Sequence, residues 1–169
     1  MTSPSKPARK PASSNGKPAL LNALARSPAA LAGYLGLQAG LSQGRLSAIE
    51  RNLFGLAVAQ RSGSRYWLSV QVRMAEEAGL TSDQILDARE GCADLDRHVA
   101  VLFLAGKLVI NRGELADADL AAVRQVGLSD ADVTEVIAHV ALNLTAASVS
   151  HAARLQPAPS TGAAKSHTL

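Results

Sequence analysis

Apolar side chains recur three and four positions apart through most of this chain, the spacing of one buried face of an α-helix. Leu20, Leu21, Leu24 and Ala25 predict a short first helix. Ser27-Pro28 supplies an N-cap followed by proline at the first helical position, and predicts a second helix over 28–42. Ser47 caps a third, striped by Ile49, Leu53, Leu56 and Ala57, which "RSGS" breaks. A fourth runs over about 64–78, with Trp67, Val70, Met74 and Ala78 on one face and Gly79 just past its end. Thr81 and Gln84 form a capping box for a fifth. From Leu95 to Ile110 the chain is apolar almost all round, which predicts a helix buried on several sides. "NRGELADADL" opens a short exposed helix, and Ser129 caps a last long one carrying Val133, Val136, Ile137, Val140, Leu144 and Ala147. No segment alternates with a period of two, so the expected fold class is all-α, a helical bundle.

Composition sharpens this picture. Aromatic residues are only 3% of the chain, so the core is aliphatic, which suits helices. No apolar run is read as reaching the roughly 18–20 residues that span a bilayer, so no membrane association is expected. The ends differ from the middle. Residues 1–17 and 155–169 are rich in Pro, Ser and Lys and read as a basic N-terminal tail and a flexible C-terminal tail around one domain at 18–154. The formal charge of +3 comes from Lys6, Arg9, Lys10, Lys17 and Lys165; residues 18–154 carry 12 basic and 14 acidic side chains. The domain thus lacks the clustered cations of a nucleic-acid binder. Cys92 is the single cysteine, which rules out an intramolecular disulfide, and the N-terminus has no apolar signal-peptide core. A cytoplasmic location is expected.

The run "LSAIERNLFGLAVAQRSGSRYWLSVQVRMAEEAGLTSDQILDAREG", with the later "RGELADADLAAVRQVGLSDADVTEVIAHVALNLTAASVSHAA", resembles the carboxymuconolactone decarboxylase and alkylhydroperoxidase D superfamily. "LLNALARSPAALAGYLGL" resembles its entry helices. The likeness rests on the order of elements, above all "AGLTSDQI" and "GLSDADVTEVI", and covers residues 18–154. It implies an AhpD-like bundle and a homo-oligomer, commonly a trimer or hexamer.

The resemblance also implies a site. Redox members open the helix after "AVA" with Cys-x-x-Cys and a His four residues on, and a Glu on the preceding helix helps move protons. A helix N-terminus lowers the first thiolate's pKa, and the second Cys resolves the oxidised sulfur. The two cysteines fall here on Ser64 and Trp67, the His on Gln71 and the Glu on Asn52. Glu50 lies two residues off, about 160° around an ideal helix. All four functional positions are therefore substituted. Ser64 reads as an N-cap. Trp67 is expected to fill the space a small substrate once used, with Asn52 or Gln71 accepting its indole N–H.

Other candidates carry less. Cys92 reads as a buried or half-buried inert thiol. His98 reads as structural, although it and Arg65 are the remaining candidates for a pocket. Arg61, Arg65 and Arg73 either meet an anionic substrate or solvate the surface, and the second is preferred. Glu135, His139 and Asn143 are spaced by four and read as a surface line; as a metal site they offer too few ligands. No metal and no cofactor are expected. The preferred function is a non-redox oligomeric scaffold or small-molecule binder. The alternatives are a non-thiol enzyme of the decarboxylase type, acting on a small carboxylated substrate, and a single-cysteine peroxidase using Cys92. A filled pocket at Trp67 marks the scaffold; a cavity lined by Asn52, Gln71, His98 or Arg65 marks the binder or enzyme.

Overall fold

The computed structural model describes residues 17–157; residues 1–16 and 158–169, most of the two expected tails, lie outside them. The described residues form eight helices and no strand: α1 (Lys17–Leu24), α2 (Pro28–Ser42), α3 (Ala48–Arg61), α4 (Arg65–Glu77), α5 (Ser82–Glu90), α6 (Asp96–Ile110), α7 (Asp117–Gln125) and α8 (Asp130–Ala152). Local chemistry sets most of these starts. Ser27 accepts the Ala30 N–H at α2, and Ser64 accepts the Trp67 N–H at α4. Ser47, Thr81 and Ser129 form capping boxes with Glu50, Gln84 and Asp132. Gly79 follows the last turn of α4 at φ +90°, a left-handed conformation that costs glycine least.

The bundle is organised around α3, where every residue from Asn52 to Ala59 is buried. Phe54 and Val58 pack against Val101, Leu104 and Leu108 of α6 and Val136 and Val140 of α8. Leu53, Leu56 and Ala57 meet Leu102 of α6, with Ile85 and Ala88 of α5 and Ala75 of α4. Ala59 joins a third cluster of Leu20 and Leu24, Trp67 and Val70, and Leu142 and Ala146. The helices that carry the candidate site, α3, α4 and α8, are thus fixed by separate apolar contacts on different sides.

An ion network ties three helix starts together. Arg97 at the head of α6 donates to Glu50 at 2.7 Å and lies 3.5 Å from Asp132, which also meets Arg45 at 3.3 Å. Burial alone would push Asp132 up, but bonds from Ser129 and the charges of Arg45 and Arg97 hold its pKa at about 2. Glu50 is lowered in the same sense, with Ser47 and Arg97 overcoming its desolvation.

Three expectations change. Ile49 and Ile137 are exposed, and at the start of α3 it is Glu50 that takes the inward position. The α6 helix is buried on one side only: Val99, Phe103 and Ile110 are exposed, and Lys107 lies 5.3 Å from the Phe103 ring. The α8 helix is long and apolar enough to cross a membrane by length and composition, with a mean hydropathy of 1.3 over an 18-residue window. Half of that window is buried inside the bundle, where Val133, Val136, Val140, Leu142 and Ala146 form part of the core.

Candidate functional site

Four helices each turn one narrow face toward a cavity of about 260 Å³. Tyr34, Gln38 and Ser42 come from α2, and Ala48, Arg51 and Asn52 from α3. Trp67, Gln71 and Met74 come from α4, and His139, Leu142 and Asn143 from α8. Within each helix these residues are three or four apart, so each set shares a face. Asn52, Trp67 and Gln71, three of the four positions singled out by the family resemblance, therefore meet at one cavity. The fourth, Ser64, lies behind it: its hydroxyl is buried and caps α4 by accepting the Trp67 N–H at 3.2 Å.

Trp67 forms part of the wall and leaves the space open, contrary to its expected role as a plug. Its indole Nε1 donates to Asn143 Oδ1 at 2.9 Å, so neither Asn52 nor Gln71 is the acceptor. Gln71 Nε2 donates to the same oxygen at 2.8 Å, and Asn143 Nδ2 donates to the His139 carbonyl at 2.9 Å. The amide orientations follow from this pattern. An indole N–H can only donate, so Asn143 must present its oxygen, and Gln71 must then present its nitrogen. Gln71 can lie flat on α3 because residue 55 is glycine. A Cβ there would sit 2.5 Å from Gln71 Oε1.

Two polar groups beside this bridge remain unspent. Asn52 Nδ2 donates to the Ala48 carbonyl at 2.9 Å, and Oδ1 has no donor among the described residues. The His139 side chain is 6% exposed, packs on Phe54 with ring centroids 4.8 Å apart, and has no hydrogen-bond partner at Nε2. The line Glu135, His139 and Asn143, read as surface from its spacing, is instead largely buried. Glu135 turns away from the cavity and caps the loop before α3, accepting the N–H groups of Arg45 at 2.7 Å and Leu46 at 3.0 Å. Gly44 permits this approach, since a Cβ would sit 2.2 Å from Glu135 Oε1.

Electrostatically the cavity is a neutral pocket with one cation at its edge. Burial, partly offset by Glu135 and reinforced by Arg51, pushes the His139 pKa down to about 4. Tyr34 is raised to about 12, first by burial and then by Tyr66. Both side chains are uncharged at neutral pH. Arg51 donates to the Leu46 carbonyl and has no carboxylate partner among the described residues. No Asp or Glu lines the cavity.

The other sequence candidates lie elsewhere. Arg65 is exposed outside the cavity. His98 and Cys92 border a different cavity, of about 370 Å³, between α3, α5 and the start of α6. Cys92 is exposed there, not buried as expected. Arg61 lies along α6, where its guanidinium approaches Gly91 and Gly106, and Arg73 Nε and Nη2 are buried without hydrogen-bond partners. Sequence reasoning missed Arg51, Tyr34, His139 and Asn143. Their spacing, Tyr34 four before Gln38, Arg51 three after Ala48 and His139 four before Asn143, was the available signal, but that spacing does not separate a solvent face from a cavity face.

A family model described as the carboxymuconolactone decarboxylase family matches residues 28–96, from α2 to the first residue of α6. That stretch includes Asn52, Ser64, Trp67 and Gln71 and excludes α8. The crystal structure of an uncharacterized peroxidase-related protein from Silicibacter sp. TM1040 superimposes with a TM-score of 0.72 at 22% identity. The match covers 83% of this chain and 76% of that one, a likeness of fold. No curated protein sequence matches the chain.

Asn143→Leu leaves two buried donors, Trp67 Nε1 and Gln71 Nε2, without an acceptor. At about 1–3 kcal/mol for each orphaned group, a loss of about 2–6 kcal/mol is expected by urea denaturation. The triple change Asn143→Leu, Trp67→Phe, Gln71→Leu removes the donors as well and is expected to recover part of that loss. A triple variant no more stable than Asn143→Leu would contradict the bridge.

Proposed function

We propose that the chain is a member of the carboxymuconolactone decarboxylase superfamily, whose family model matches residues 28–96, and that within it this protein is a non-redox binder of small organic acids. The observation that carries the reading is the cavity: it stays open at the family's redox position, yet it is lined by amides, an indole and an imidazole in place of thiols. Thiol peroxide chemistry needs a nucleophilic thiolate and a group to resolve its sulfenic acid. Ser64 is committed to capping α4, and Trp67 and Gln71 are committed to Asn143. Cys92, the only thiol in the chain, borders the other cavity. The choice of an acid follows from Arg51. A guanidinium without a carboxylate partner, beside a pocket with no acidic lining, favours an anionic ligand. The neutral Tyr34 phenol adds a hydrogen-bond donor. The decarboxylase alternative shares this ligand class and differs only in what happens after binding.

We extend the proposal to self-association through α2. This helix has no charged residue in its 15 positions, and Leu35 and Leu37 are each 40% exposed. Gly33, Gly36 and Gly40 have open space where a Cβ would stand, so an apposed helix could approach closely. A second copy of the same uncharged face is the simplest cover for it.

Three outcomes are expected. In isothermal titration at pH 7, propionate or butyrate binds while the neutral propionamide does not, and Arg51→Gln weakens the acid by at least about tenfold, the loss of one charge-assisted contact. Equal binding of acid and amide, or an unchanged Arg51→Gln, would overturn the acid reading. Hydrogen peroxide with dithiothreitol is consumed at the buffer rate, and Cys92→Ser changes nothing; thiol-dependent turnover lost in Cys92→Ser would establish the peroxidase alternative. Light scattering of the full chain gives an oligomer that Gly36→Arg reduces to monomers, whereas a wild-type monomer would refute α2 pairing.

A further inference from the structure

We propose that the cavity selects hydroxy acids, with the single proton of the ligand's hydroxyl shared in a bifurcated bond between His139 Nδ1 and Asn52 Oδ1 while Arg51 holds its carboxylate. The inference rests on the acid-binding reading above and specifies its ligand further. It begins with two acceptors that the protein leaves unused at the same wall. Asn52 fixes its own orientation by donating Nδ2 to the Ala48 carbonyl, so its remaining atom is an oxygen. That oxygen can accept a proton and cannot donate one.

His139 is set up in the same sense by its neighbours. Its Nε2 is sealed from solvent and lies 3.8 Å from Glu135 Oε1. A lone pair at that nitrogen would face a carboxylate, whereas a proton there faces it favourably. The proton of the neutral ring therefore belongs on Nε2, and Nδ1 keeps its lone pair. Nδ1 has no hydrogen-bond partner among the described residues and, unlike Nε2, is not among the sealed-off atoms; His139 lines the cavity. Glu135 is itself held by two backbone N–H groups, which fixes the carboxylate that orients the ring.

The charged and titratable groups around His139 are Glu135 on its own helix, Arg51 on α3 and Tyr34 across the cavity on α2. Arg51 and the burial of the ring both oppose a second proton. The site is thus an acceptor at neutral pH. An ammonium group could also donate here, but the cavity offers it no carboxylate and sets Arg51 nearby. A hydroxyl is the donor that carries no such penalty.

The test is isothermal titration of the full chain at pH 7 with matched probes: lactate against propionate and alanine, and 3-hydroxybutyrate against butyrate. At least one hydroxy acid is expected to bind about tenfold more tightly than its deoxy counterpart, the worth of one well-placed hydrogen bond, and more tightly than the amino acid. That preference should shrink to less than about threefold in Asn52→Val and in His139→Phe. Nitrogen-15 NMR of the wild-type histidines provides a readout that needs no variant to fold. His139 Nδ1 should be unprotonated and should shift with the hydroxy acid but not with the deoxy acid. A proton on Nδ1, or equal binding of hydroxy and deoxy acids that still depends on Arg51, would overturn this inference and leave the acid reading standing. Failure of every acid to bind would overturn both.

Discussion

One carbonyl oxygen holds this site together. Asn143 Oδ1 accepts the Trp67 indole at 2.9 Å and the Gln71 amide at 2.8 Å, and so joins α4 to α8 across the cavity wall. Each donor is buried and would otherwise be unpaired, so the bond matters more for what its loss would cost than for its net gain. The bridge fixes the Trp67 ring on the wall, which keeps the cavity open. Glycine at 55 completes the arrangement by letting Gln71 lie against α3.

That geometry is what the proposed non-redox role rests on. The start of α4 still has a small polar cap, Ser64, because any helix there needs its orphan N–H groups satisfied. Trp67 and Gln71, two of the positions singled out by the family resemblance, serve a hydrogen-bond network that anchors to α8. Charge is handled apart from this network. Glu135 is turned outward to the loop before α3, Glu50 and Asp132 are held by Arg97, and Arg51 alone brings a cation to the cavity.

The helices were largely legible because their starts are written locally. Ser27-Pro28, Ser47, Thr81 with Gln84 and Ser129 all form the caps that the sequence predicts, and Glu50 and Asp132 complete two of them as capping boxes. The site was legible only in part. The resemblance led to Asn52, Trp67 and Gln71, but a single sequence shows periodicity within a helix and not which helix lies opposite. His139 and Asn143 therefore read as a solvated stripe, although packing turns them inward against Phe54 and Trp67. The reverse error placed His98 and Arg65 with the site, because nearness in sequence to α4 or an apolar helix says little about direction. Ile49 shows the same limit: it fits the apolar stripe of α3, but the Glu50–Arg97 pair takes the inward position at that end.

Trp67 is the only tryptophan in the chain, so its indole N–H gives one resolved proton resonance that reports on the bridge and the cavity together. Hydrogen exchange of that proton, followed by NMR in native buffer with and without propionate, is the most direct measurement. Slow exchange, with a resonance that shifts as the acid enters, is the predicted result, since the proton is bonded to Asn143 at the cavity wall. Exchange as fast as that of a free indole, with no response to the acid, would contradict both the bridge and the open site beside it.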